Sequence, residues 1–118
     1  MSAFSVTEAM VSWLSSMGHS ASTRVSADAP ASFVTVERVG GGVDSYVDRA
    51  SMAVQCWAAT DAEAEELANE VRLAVLTSQP PAGIHSVRAE RGPYQFYDEA
   101  TRRPRYQLVL DVACQLEI

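Results

Sequence analysis

Lysine is absent from this chain. All nine basic residues are arginine, and 15 acids outnumber them, giving a formal charge of −6 and a pI near 4.7. An acidic balance works against nonspecific binding to nucleic acid backbones, where a basic footprint supplies most of the affinity. It works equally against an anionic membrane surface. Cysteine is scarce. Cys56 and Cys114, with two scattered histidines, make no structural zinc site by any usual spacing. Each cysteine falls on the apolar side of a predicted strand and reads as a small packed hydrophobe; a disulfide between neighbouring strands is the alternative. No apolar run approaches the length of a membrane span. The amino terminus lacks a basic segment leading into an apolar one, so no secretory signal is expected.

Catalytic signatures are missing too. There is no G-x-S-x-G elbow among the many serines. His19 and His85 have no acid beside them in sequence. Gly40, Gly41 and Gly42 fall between two predicted strands rather than before a helix, and no lysine follows, so they do not form a phosphate loop. No catalytic residue, cofactor or metal is expected. The missing lysine has two readings. A GC-rich genome favours arginine codons, and arginine's planar fork suits interfaces better than lysine's point charge.

The composition that remains is globular, with 47% hydrophobic and 20% charged residues. A length of 118 residues fits one domain, 1–118. Ser5 and Glu8 form a capping box, and Val6, Met10, Trp13, Leu14 and Met17 recur at helical spacing up to Gly18. The polar stretch from His19 to Ala31 reads as a loop. Ser32 to Val39 alternates as a strand. The three glycines predict a tight hairpin connection, and a return strand runs from about Tyr46 to Ala58. Thr60 and Glu63 cap a second helix that keeps Ala64, Leu67, Ala68, Val71 and Val75 on one side and ends at Pro80-Pro81. Ile84 to Glu90 reads as a short third strand punctuated by Gly92-Pro93. Tyr106 to Leu116 is the clearest strand, with Leu108, Leu110, Val112 and Cys114 on its apolar face. The order α-β-β-α-β-β predicts an α+β fold: a mostly antiparallel four-stranded sheet with two helices packed on one face.

Three features stand out as candidate surfaces. Asp61, Glu63, Glu65, Glu66 and Glu70 lack the spacing of a calcium loop and read as the wet face of a helix. Trp57 lies across its strand from Cys56 and is expected to be an exposed aromatic marking an interface. The segment from Tyr94 to Arg105 combines Tyr94, Phe96 and Tyr97 with Asp98, Glu99, Arg102, Arg103 and Arg105. Aromatics and arginine are enriched at interface hot spots; a plain loop with internal ion pairs is the alternative.

The element order, the helix ATDAEAEELANEVRLAV and the close YDEATRRPRYQLVLDV together resemble the tail terminator proteins of long-tailed bacteriophages, in particular those of actinobacterial phages. The resemblance runs from Phe33 onward and rests on pattern rather than fixed chemistry. It implies a non-enzymatic virion protein of the tail neck, assembled in the host cytoplasm. Such proteins form a homohexameric ring on the last ring of the major tail tube protein, end its polymerisation and offer the joining surface to the head-closure or connector protein. DNA passes through the lumen without specific binding, and an acidic wall suits that passage. The heterologous contacts of a ring need two complementary patches. Trp57, the loop residues Tyr94, Phe96, Tyr97, Arg102, Arg103 and Arg105, and Gly41 at the hairpin tip are the expected contributors. The competing expectations are another neck protein and, from a different class, a monomeric α+β ligand-binding domain.

Overall fold

The Ser5 hydroxyl accepts the backbone N–H of Glu8 at 3.2 Å and starts helix α1, Val6–Ser16. Thr60 does the same for α2, Asp61–Thr77, accepting the Glu63 N–H at 3.2 Å. A computed structural model describes residues 4–97 and 99–116. Besides the two helices it contains β1 (Ala21–Ser22), β2 (Phe33–Asp44), β3 (Val47–Trp57), β4 (Ile84–Gln95) and β5 (Arg105–Gln115). The strands form one sheet in the order β1-β2-β3-β5-β4. Both helices pack on the same face. Met10, Trp13 and Leu14 of α1 and Ala68, Val71 and Val75 of α2 share a core with Val34, Val36, Met52, Val54, Leu108, Leu110 and Val112. Strand alternation puts the apolar set of each strand on that side and leaves the other side of the sheet without a helix.

The α+β class and the two helices on one face are as expected, but the sheet has five strands and is mixed. The fifth lies within the stretch expected to be loop. Ala21 and Ser22 run parallel to Val34 and Thr35, and the Val34 N–H donates to the Ser20 carbonyl at 2.8 Å. The ladder is made by backbone groups, and a two-residue strand is too short to show an alternating side-chain pattern.

Gly41 is not at a hairpin tip. Gly40, Gly41 and Gly42 are inside β2, opposite Ser51, Ala50 and Arg49, just after a bulge at Arg38/Gly40. Gly41 has φ +100°, and a Cβ there would come 1.9 Å from the Arg49 carbonyl oxygen. Gly41 therefore serves a close backbone approach within the ladder. The turn itself is Ser45-Tyr46, both at positive φ (51° and 68°), the condition a two-residue hairpin imposes. Arg38 holds the bulge: Nε donates to the Gly40 carbonyl at 3.0 Å, while Nη1 and Nη2 clasp the Asp48 carboxylate at 2.6 and 2.7 Å. That clasp holds the Asp48 carboxyl below its ordinary range.

The third strand runs beyond Glu90 to Gln95, through Gly92-Pro93, with register shifts at three places. Pro93 is tolerated because β4 is an edge strand, where a missing N–H costs no ladder bond. Tyr94 and Gln95 thus belong to β4 and Arg105 opens β5.

Gly41→Ala lowers stability by about 1–3 kcal/mol in urea denaturation, whereas Gly42→Ala, with open space and ordinary φ, changes it little. Burial pushes the Cys56 thiol up to about 12 and raises Cys114 as well. Both thiols are free and buried. In the folded protein they resist a thiol reagent at pH 8 and react on unfolding. The Cys56 contribution to stability is fully present below pH 9, where the thiol is neutral in both states, and is lost as pH rises from about 9 toward 12.

Candidate interaction surface

The helix-free face of the sheet organises itself into rows that run across the strands. The end row begins on β2 with Phe33, whose ring stacks on that of Trp57 with centroids 5.5 Å apart and planes 9° from parallel. Next comes Arg105 of β5, its guanidinium 4.8 Å from the Trp57 ring centre and 4.4 Å from that of Phe96. Arg103 lies 4.9 Å above the Phe33 ring. The stack Phe33, Trp57, Arg105, Phe96 therefore follows the strand order, because Phe33↔Trp57 and Trp57↔Arg105 are directly opposed pairs. Each cation–π contact is worth about 0.5–2 kcal/mol. Arg105 also ties the preceding loop down: its Nε donates to the Phe96 carbonyl at 2.8 Å, and the Phe96 N–H donates to the Arg105 carbonyl at 2.9 Å.

The second row is a chain of polar side chains. The Trp57 indole N–H donates to the Thr35 hydroxyl at 3.1 Å, which donates to the Gln55 amide oxygen at 2.9 Å. The Gln55 amide N–H₂ donates to Gln107 at 3.0 Å and to Glu37 at 3.3 Å. Gln107 donates in turn to the Tyr94 hydroxyl at 2.5 Å. Thr35 and Gln107 are 5% and 8% exposed, and among the described residues no buried side-chain nitrogen or oxygen is left without a partner. A fully satisfied network of this kind rigidifies what it crosses.

Further along, the face becomes shallow and is floored by small residues. Gly40, Gly42 and Ser51 lie in two adjoining concavities of about 570 and 330 Å³, with Arg49, Arg88 and Arg91 at their margins. Arg88 pairs with Asp111 at 2.7 Å and Arg49 with Asp44 at 3.7 Å.

Trp57 is buried, not exposed: it is 3% accessible because Phe33 and Arg105 cover its ring. It sits with Tyr94, Phe96, Arg103 and Arg105 in one assembly. Phe96 and Tyr97 are 40% and 53% exposed, and Arg102 stands outward at φ 57°. The loop's Arg103 and Arg105 rest on rings rather than in ion pairs among the described residues; Asp98 lies outside the described residues. Gly41 is apart from this group, opposite Ala50, seven positions along β3 from Trp57, or about 24 Å by strand rise. Phe33, Thr35, Gln55 and Gln107 complete the assembly and are not singled out by sequence. Their alternation puts them on this face, but only the register between strands shows that they touch.

Among the described residues no group of three or more His, Cys, Asp or Glu is placed to hold a metal ion. No helix there is long and apolar enough to cross a membrane. Models of known protein families give no match to this chain, and a comparison with curated proteins gives none either.

Removing the hub of the polar row tests its importance. Gln55→Leu strands the Thr35 hydroxyl and the Gln107 amide and costs about 1–3 kcal/mol by chemical denaturation. Ser51→Ala, on the same face of the same strand, stays within about 0.5 kcal/mol of the parent.

Proposed function

We propose that this chain is a structural subunit of a phage tail neck, a tail terminator that closes into a homohexameric ring on the tail tube. The reading rests on the resemblance carried by the second helix and the closing strand. The observation that supports it best is the open sheet face. A rigid, fully bonded surface with an exposed aromatic rim at Phe96 and Tyr97 suits contact with another protein. The concavities on that face are lined by Arg49, Arg88 and Arg91 with Ser51, Glu90 and Asp111.

In this reading the ring ends growth of the major tail tube protein and presents its other side to the head-closure or connector protein. DNA crosses the lumen without specific binding, and the net charge of −6 per subunit keeps it from adhering. The protein would reside in the virion and carry no catalytic activity.

Native mass spectrometry with negative-stain electron microscopy tests this. The expected result is a sixfold species seen as a ring with an axial hole, alone or seated on tubes of the tail tube protein. A chain that stays monomeric both alone and with tubes, and leaves tube length unchanged, overturns the reading.

A further inference from the structure

The two sides of this molecule carry opposite charge. Helix α2 holds five carboxylates, Asp61, Glu63, Glu65, Glu66 and Glu70, against the single Arg72, for a net charge of −4. All five are exposed, and none is in an ion pair among the described residues. The same outer surface of α2 exposes Leu73 at 64% and Leu76 at 44%, so it is acidic at one end and apolar at the other. Glu66, Glu70, Leu73 and Thr77 follow one another at spacings of three and four and form one outward stripe.

The open sheet face is the complement. Its two concavities are lined by Arg49, Arg88 and Arg91 against Glu90 and Asp111, for a net charge of +1 at the lining. Guanidinium outreaches carboxylate at the centre: the Arg88 side chain is 74% exposed and its partner Asp111 only 19%. Arg91 makes no ion pair among the described residues. The floor between these arginines includes Gly40, Gly42, Ser51 and Val109.

We propose that the outer stripe of α2 of one copy docks in the open sheet face of the next, arginines meeting the Glu66 and Glu70 carboxylates. The occupant is a second copy of this chain because this chain carries both complementary patches. They lie on opposite sides of the molecule, so one copy's two patches serve two neighbours. Self-pairing about a two-fold axis is disfavoured, since it sets acid on acid or arginine on arginine. The contact is therefore heterologous and propagates head to tail. It leaves the net charge of each subunit unchanged. The proposal rests on the ring reading and identifies the surfaces that build it.

Two variants test it. One reverses the helix, Glu66→Arg with Glu70→Arg; the other reverses the face, Arg49→Glu with Arg91→Glu. All four positions are exposed, and circular dichroism with thermal melting confirms that each variant folds. Native mass spectrometry at low salt reads assembly, since screening weakens such contacts. Each variant alone is expected to associate about a hundredfold more weakly than the parent. Their equimolar mixture recovers assembly with the two variants in equal number, because in an alternating assembly residues 66 and 70 again face residues 49 and 91 of opposite charge at every junction. Variants that assemble like the parent, or folded variants whose mixture stays monomeric, overturn the docking. Sixfold rings unaffected by reversal overturn the docking and leave the ring reading standing. Charge-dependent assemblies that are open or not sixfold do the reverse. A parent chain that stays monomeric alone and on tubes overturns both.

Discussion

All eleven residues of β3 pair with β5 without a bulge, from Val47↔Gln115 to Trp57↔Arg105. Both faces of the protein depend on that unbroken register. On one side it aligns Met52 with Leu110 and Val54 with Leu108 beneath the helices. On the other it sets Gln55 beside Gln107 and Trp57 beside Arg105. A slip of one residue turns every side chain of a strand to the opposite face, so it would expose the core and break both rows at once. The irregularities are kept to the outer strands. β2 has its bulge after Arg38, and β4 shifts register three times. Bulges belong where they bend an edge without disturbing the centre.

What is legible in the sequence is what is decided locally. The caps at Ser5 and Thr60 depend on residues three positions away, and the apolar stripes of α1, α2 and β5 depend on period alone. What is illegible depends on partners distant in the chain. β1 is held by backbone groups of β2 and is too short to show a side-chain pattern. The hairpin turn falls on Ser45-Tyr46 although three glycines stand nearby, because Gly41 is needed where the Arg49 carbonyl crowds the backbone. Trp57 is correctly placed on the far face by alternation, yet its exposure is set by Phe33, twenty-four positions before it, and Arg105, forty-eight after. The candidate surface is thus half readable: its rim in Phe96 and Tyr97 by composition, its base in Thr35, Gln55 and Gln107 only once the strands are paired.

A sheet covered on one side usually finds a second layer or presents a polar surface to water. Here the bare face does neither completely. At one end it is closed by its own aromatic and amide rows; at the other it is shallow, small and edged with arginine. The closed end contributes rigidity, which lowers the entropy lost on binding. The open end contributes room. A surface split in this way suits a partner that inserts at one end and is positioned against the other.

The absence of lysine takes on a physical meaning in these contacts. A codon bias would account for the choice of arginine over lysine, but not for how the arginines are used. Arg38 clasps Asp48 through two nitrogens at once. The Arg105 guanidinium lies 4.8 and 4.4 Å from two ring centres while its Nε is bonded to a carbonyl, and Arg103 lies over a third ring. An ammonium group has no plane to stack and no fork to divide between two oxygens. Lysine at 105 would keep the charge and lose the tie between Trp57, Phe96 and the loop. Whatever favoured arginine in this chain, the end of the open face is built from the shape of the guanidinium as much as from its charge.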